Sequence, residues 1–144
     1  MKELGHEIFI YDLSKPWEST EKFFRFFEEG NTALINFNFH GMSGEHYFLD
    51  ENDTTMWEAL HIPSYNIVVD HPMYYHNFLE RVPSNYHHIS IDKNHEAYMR
   101  RFFPEIKNGP FLPLAGTQLH PGKTNVPIAF RKYDVTMVGN YCKP

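Results

Sequence analysis

The chain has 144 residues, a net charge of −5 with neutral histidines, and 42% hydrophobic against 22% charged residues, which suits about one domain burying on the order of two-thirds of its unfolded surface. No basic cluster exceeds the pair Arg100-Arg101, so the stripe of Lys and Arg that marks a nucleic-acid groove is missing and nucleic acid is excluded as a partner. No run approaches the about 18 apolar residues of a membrane helix, and the single cysteine, Cys142, excludes an internal disulfide and fits a reducing compartment.

The first residues, Lys2-Glu3-Leu4-Gly5-His6, read as the last turn of a helix closed by glycine. No helix precedes them, so the chain is expected to begin late in its fold. They also lack the apolar core of a signal peptide, which makes a cytoplasmic location the expectation. Residues 7–13 (E-I-F-I-Y-D-L) form the first strand candidate. Pro16 suits a helix start, and residues 18–29 carry Thr20, Phe23, Phe24 and Phe27 on one helical face, with Gly30 as the stop.

Residues 32–39 (T-A-L-I-N-F-N-F) are the next strand. Alternation sets Asn36 and Asn38 on one face and Phe37 and Phe39 on the other. Asparagine is poor in strands, so two near a strand end, just before His40-Gly41, either line a cleft or bond loop backbone. Residues 42–53 are irregular or hold a short helix, and Asp53 is placed to cap a helix over 54–60. Residues 65–69 form a buried strand that stops at the elbow Asp70-His71-Pro72. Pro72 keeps His71 out of the helical region and frees residues 73–80 to begin a helix.

Residues 86–91 (Y-H-H-I-S-I) are another strand. Asp92 or Asn94 caps a helix running to about Phe103, which Pro104 ends. Residues 110–114 are a short extended piece and 117–132 a linker containing Pro121, Gly122 and Pro127. Residues 133–139 (Y-D-V-T-M-V-G) are a last strand. Strands alternating with helices make βαβ units, so the fold class is α/β with a mostly parallel sheet. Ligands bind such sheets at the carboxyl ends of the strands.

Several segments, in order, resemble one family: Glu3-Leu4-Gly5-His6-Glu7, Leu34-Ile35-Asn36-Phe37-Asn38-Phe39, Ile62-Pro63, Val69-Asp70-His71-Pro72, Ile91-Asp92, Phe111-Leu112-Pro113-Leu114-Ala115, and Asp134-Val135-Thr136-Met137-Val138-Gly139-Asn140-Tyr141. Together they are similar to the N-terminal half of bacterial two-domain, GT-B-type glycosyltransferases of the spore-maturation kind. The resemblance implies a Rossmann-like three-layer sandwich over residues 1–116, a linker at 117–132, and in 133–144 the start of a second, nucleotide-sugar-binding domain. It implies that the first strand of the sheet is lacking. Residues 134–139 would fold back, or swap between two chains as a homodimer, to fill that place. The partners implied are a nucleotide sugar and a sugar acceptor in the full enzyme, with no cofactor, and a chain inactive alone.

Glycosyl transfer requires a base for the acceptor hydroxyl and stabilisation of the departing diphosphate. Asp70 and His71 place a carboxylate and an imidazole at one elbow and are the candidate catalytic pair. Asp70 would hold His71, or His76, in one tautomer; the structural alternative is that Asp70 caps the next helix and His71 packs in the loop. Asn36, Asn38, His40, Tyr74 and His76 are the candidate substrate-binding residues, and Tyr75 offers a second ring. Asp92 fits a helix cap better than a catalyst. A metal held by Asp70 with His71 and His76, or with His87 and His88, has no supporting ligand motif. The rival function is a non-catalytic α/β binding module.

Overall fold

Four short strands form one sheet in a computed structural model of the chain, which describes residues 2–114, 127–130 and 132. They are β1 (Leu34–Phe37), β2 (Ser64–Val68), β3 (Tyr86–Ser90) and β4 (Lys107–Asn108), in the order β1-β2-β3-β4 with every neighbouring pair parallel. The connections carry α1 (Pro16–Phe26) before the sheet, α2 (Met56–Ala59), α3 (His76–Leu79) and α4 (Lys93–Phe102). This is an α/β fold consistent with a Rossmann-like sheet. Two compact units divide the chain, Met1–Leu114 and Ala115–Pro144. Of the second, a 3₁₀ turn at Ile128–Phe130 is described, closed by Phe130 N–H donating to Pro127 O at 2.9 Å. The strand expected at 133–139 and most of the linker lie outside the described residues.

Local chemistry explains most boundaries. Pro16 sits in the first turn of α1, where its missing N–H costs nothing. Phe23 is buried, but Phe24 is more than half exposed and does not belong to the core as the helical face implied. Thr55, rather than Asp53, caps α2 by accepting from Glu58 N–H at 3.2 Å, because Asp53 turns through the left-handed region at φ 58°. Asp92 caps α4, accepting from Asn94 N–H at 2.7 Å. Residues 7–13 form no strand. They keep a strand's alternation, with Phe9 and Tyr11 partly buried and Ile8 and Ile10 exposed, but have no ladder partner among the described residues.

β1 stops early for a clear reason. Asn38 and Phe39 both take left-handed angles, φ 47° and 63°. The alternation expected across 36–39 is therefore broken after Phe37. Phe37 is 52% exposed, while Phe39 is 1% exposed and drops beneath the sheet. There its ring lies 5.9 Å from Tyr86, 5.6 Å from Phe78 and 5.1 Å from Tyr75. Phe39, Val68, Leu79, Tyr86, Met99, Phe103 and Ile106 make one core cluster, between the sheet and α3 and α4. A second, more aromatic cluster gathers Phe23, Phe48, Trp57 and Ile62. Each crossover advances one strand in the same direction, and right-handed connections then lie on one face.

That covered face carries a polar row. Asn36, Asn66, His88 and Asn108 are register partners across all four strands. β4 was not expected, since Lys107-Asn108 has no strand propensity. It is held by the chain that follows, with Gly109 N–H donating to His88 O at 2.7 Å and Leu112 N–H to Ser90 O at 3.0 Å. Replacing Phe39 by alanine should cost about 3–5 kcal/mol, whereas Phe24→Ala should stay within about 0.5 kcal/mol, as read from urea denaturation midpoints.

Candidate functional site

The parallel pairing of β1 and β2 brings their carboxyl ends side by side. Asn38 bridges them. Its Oδ1 accepts from Val69 N–H at 2.8 Å, and its Nδ2 donates to Asp70 Oδ2 at 2.9 Å. Tyr75 OH donates to the same oxygen at 3.0 Å. Asp70 Oδ2 is thus held twice, while Oδ1 has no hydrogen bond among the described residues and the residue is exposed. Partial burial, followed by the hydrogen bond and charge of Asp70, raises the Tyr75 hydroxyl above its ordinary pKa, so it remains a donor. Asparagine is suited to position 38 because it tolerates the left-handed region and supplies one acceptor and two donors there.

His71 does not bond Asp70 among the described residues. It is the N-cap of the 3₁₀ turn Pro72–Tyr75, with Nδ1 accepting from Met73 N–H at 3.2 Å. The loop role is therefore taken by the imidazole, and the expected Asp70–His71 pairing is corrected to a cap. An accepting Nδ1 places the proton of the neutral ring on Nε2. In that state His71 is a donor toward a ligand rather than a base. Its ring meets His95 and Tyr98 of α4 edge to face, at centroid distances of 4.9 and 5.0 Å.

His76 lies deeper, on the α3–α4 seam. Its Nε2 is hydrogen-bonded to Tyr98 OH, and its ring is 4.8 Å from Phe103. Asp70 is not its partner either. Tyr74 is 73% exposed and stands apart from the Asp70 cluster, where Tyr75 takes the position. Asn36 is buried and donates from Nδ2 to His40 O at 3.1 Å. The alternation was expected to aim Asn36 and Asn38 alike; instead only Asn38 reaches the elbow, because its backbone has left the strand. The His40 side chain is exposed.

His95 and Tyr98 escaped the sequence reading. The signal was present: Asp92, His95 and Tyr98 recur at three-residue intervals from a helix cap, which places them on one face. Burial lowers the His95 pKa, nearby His71 adds to this, and Asp92 and Asp70 oppose it. Beneath the elbow, Asn66 Oδ1 accepts from Phe39 N–H at 3.2 Å, Asn66 Nδ2 donates to Tyr86 OH at 3.1 Å, and Tyr86 OH contacts His88 Nδ1 at 3.1 Å. His88 Nε2 and Ser90 Oγ are buried without a hydrogen-bond partner among the described residues. Adjacent His87 faces the other side of the sheet, stacked 4.6 Å from Tyr65.

No group of three His, Cys, Asp or Glu side chains is placed to hold a metal among the described residues. Nor is any helix there long and apolar enough to cross a membrane. No family model, curated protein or solved structure matches the chain.

Burial, with His95 nearby, pushes the His88 pKa down to about 4, so the folded state keeps its ring neutral. The unfolded chain takes up that proton first as pH falls below the ordinary value of 6.5. The stability that depends on His88 is therefore complete above pH 6.5 and is lost progressively down to about pH 4, for a total of about 3 kcal/mol. Urea midpoints at pH 7.0, 5.5 and 4.5 should show this fall, and His88→Gln should flatten it.

Proposed function

We propose that the chain is the acceptor-side half of a two-domain glycosyltransferase, with the β1–β2 edge forming one wall of the cleft. The observation that carries the reading is the Asn38–Asp70–Tyr75 cluster at the neighbouring carboxyl ends of two parallel strands. Such an edge is where open α/β sheets bind ligands. A fixed carboxylate oxygen beside an open one, a phenol and an Nε2–H donor suit the hydroxyl-rich surface of a sugar. In this reading Asp70 Oδ1 receives the acceptor hydroxyl, and its proton as that oxygen attacks the donor sugar. His71 Nε2–H orients a neighbouring oxygen. Stabilisation of the departing nucleoside diphosphate falls to a second domain, which makes the isolated chain inactive.

The geometry of His71 also supports the second reading, a binding module without chemistry. An imidazole that caps a turn through Nδ1 is committed to positioning.

Ligand-observed NMR against a panel of sugar acceptors and nucleotide sugars separates the two. The proposal expects saturable binding of an acceptor sugar and no turnover of any nucleotide sugar by the chain alone. Asp70→Asn should weaken acceptor binding about tenfold, corresponding to about 1.4 kcal/mol, while Tyr74→Ala should leave it unchanged. Binding of no sugar at all, or equal binding by the Asp70→Asn variant, would leave the module reading in place.

A further inference from the structure

We propose that His95 is a further ligand-facing residue of the elbow, held with its proton on Nε2 by a one-way chain of hydrogen bonds that begins at the Phe39 amide and ends on His95 Nδ1. The ligand half of the inference, a second hydroxyl of the acceptor sugar, rests on the glycosyl-transfer reading. The chain itself does not.

The direction of the chain is fixed at its first link. Phe39 N–H can only donate, so the Asn66 atom 3.2 Å from it is the accepting Oδ1. Asn66 Nδ2 then donates to Tyr86 OH at 3.1 Å. The hydroxyl, accepting there, gives its own proton to His88 Nδ1, 3.1 Å away. A neutral ring that accepts at Nδ1 carries its proton on Nε2, and burial keeps His88 neutral.

That Nε2 is buried and has no hydrogen-bond partner among the described residues, and the same holds for Ser90 Oγ and His95 Nδ1. The three belong to one corner of the fold. Ser90 follows His88 by two residues and shares its face of β3. α4 joins β3 to the parallel β4 and so runs back along the sheet, with Met99 in the same core cluster as Tyr86. Four residues back from Met99, about 6 Å along the helix, bring His95 toward the level of His88, about 6.6 Å along the strand from Tyr86. The charge of His95 acts on His88.

The three unmet demands complement one another in one order. His88 Nε2–H needs an acceptor, a serine hydroxyl both accepts and donates, and a neutral imidazole nitrogen offers a lone pair. A link through Ser90 Oγ and a direct link from His88 give the same result: His95 accepts at Nδ1 and holds its proton on Nε2. The reverse order would leave the Tyr86 proton without an acceptor, at the cost that any buried, unpaired polar group carries.

On its other side the His95 ring meets His71 edge to face, at a centroid distance of 4.9 Å, and Asp70 is near enough to act on its charge. Two Nε2–H donors on neighbouring rings, beside a carboxylate, suit two adjacent oxygens such as the vicinal hydroxyls of a sugar. Asp70 and His71 take one, and His95 takes the other.

The test uses the full chain labelled with ¹⁵N in its histidines. Long-range proton–nitrogen spectra at about pH 7.5, where neutral imidazole dominates, should show His88 and His95 both protonated on Nε2, with no ligand added. Tyr86→Phe removes the donor to His88 Nδ1 and should shift both rings toward the other tautomer. Wild-type His95 protonated on Nδ1, or His95 signals unmoved in a folded Tyr86→Phe variant, would overturn the chain. With an acceptor sugar that binds, His95→Phe should weaken binding about tenfold and His95→Gln, which keeps a donor, by less. Equal binding by His95→Phe would overturn the ligand role. Absence of any sugar binding, with both tautomers as expected, would remove the acceptor-site reading and the ligand role together and leave the chain standing.

Discussion

One buried carboxamide holds the site in place. Asn66 accepts from Phe39 N–H and donates to Tyr86 OH, and it is fully buried. A left-handed non-glycine residue such as Phe39 costs about 1–2 kcal/mol, less for asparagine, and such strain persists only where the surroundings over-determine it. At 38 and 39 they do so from two directions. Asn66 fixes the amide of Phe39 from beneath, and Val69 and Asp70 fix the side chain of Asn38 from the side. The sharp exit from β1 then sends one side chain into the core and the other to the elbow. Packing and site geometry are set by the same two residues.

The burial of Tyr86 and His88 extends this arrangement. Burial raises the Tyr86 hydroxyl well above its ordinary pKa, while its bond with Asn66 acts weakly the other way. A hydroxyl that stays protonated can serve Asn66 as acceptor and His88 as donor. The result is a neutral chain of polar groups beneath an elbow that carries a carboxylate. Charge stays at the rim, where water can reach it, and the buried layer contributes orientation.

Much of the fold was legible because it is local. The β-branched run ending in Asp70-His71-Pro72, the Asp92 cap and the Pro16 helix start all depend on neighbours a few residues away. The alternation of strands and helices was enough for an α/β class with a parallel sheet. What escaped depended on distant partners. Nothing near Asn38 announces φ 47°; Val69 and Asp70, thirty-one and thirty-two residues on, stabilise it. β4 is a strand only because β3 offers it an edge. Tyr75 rather than Tyr74 reaches Asp70 because the segment after Pro72 begins as a 3₁₀ turn, which changes the angle between successive side chains. His71 was correctly located at the elbow, but the identity of its partner required the path of the turn.

The row Asn36, Asn66, His88 and Asn108 has a consequence for alignment. A sheet whose inner face is wholly aliphatic can slide by two residues and meet hydrocarbon again, since the pleat repeats at that interval. Here each strand contributes one polar side chain at a matched level. A two-residue slip of β3 along β2 would set Asn66 against Tyr86 and His88 against Val68 in one direction, and against Ser90 and Ser64 in the other, and either slip separates Asn66 from His88. The row works as an index mark that lets four strands of two to five residues, too short to align by length alone, find a single common level.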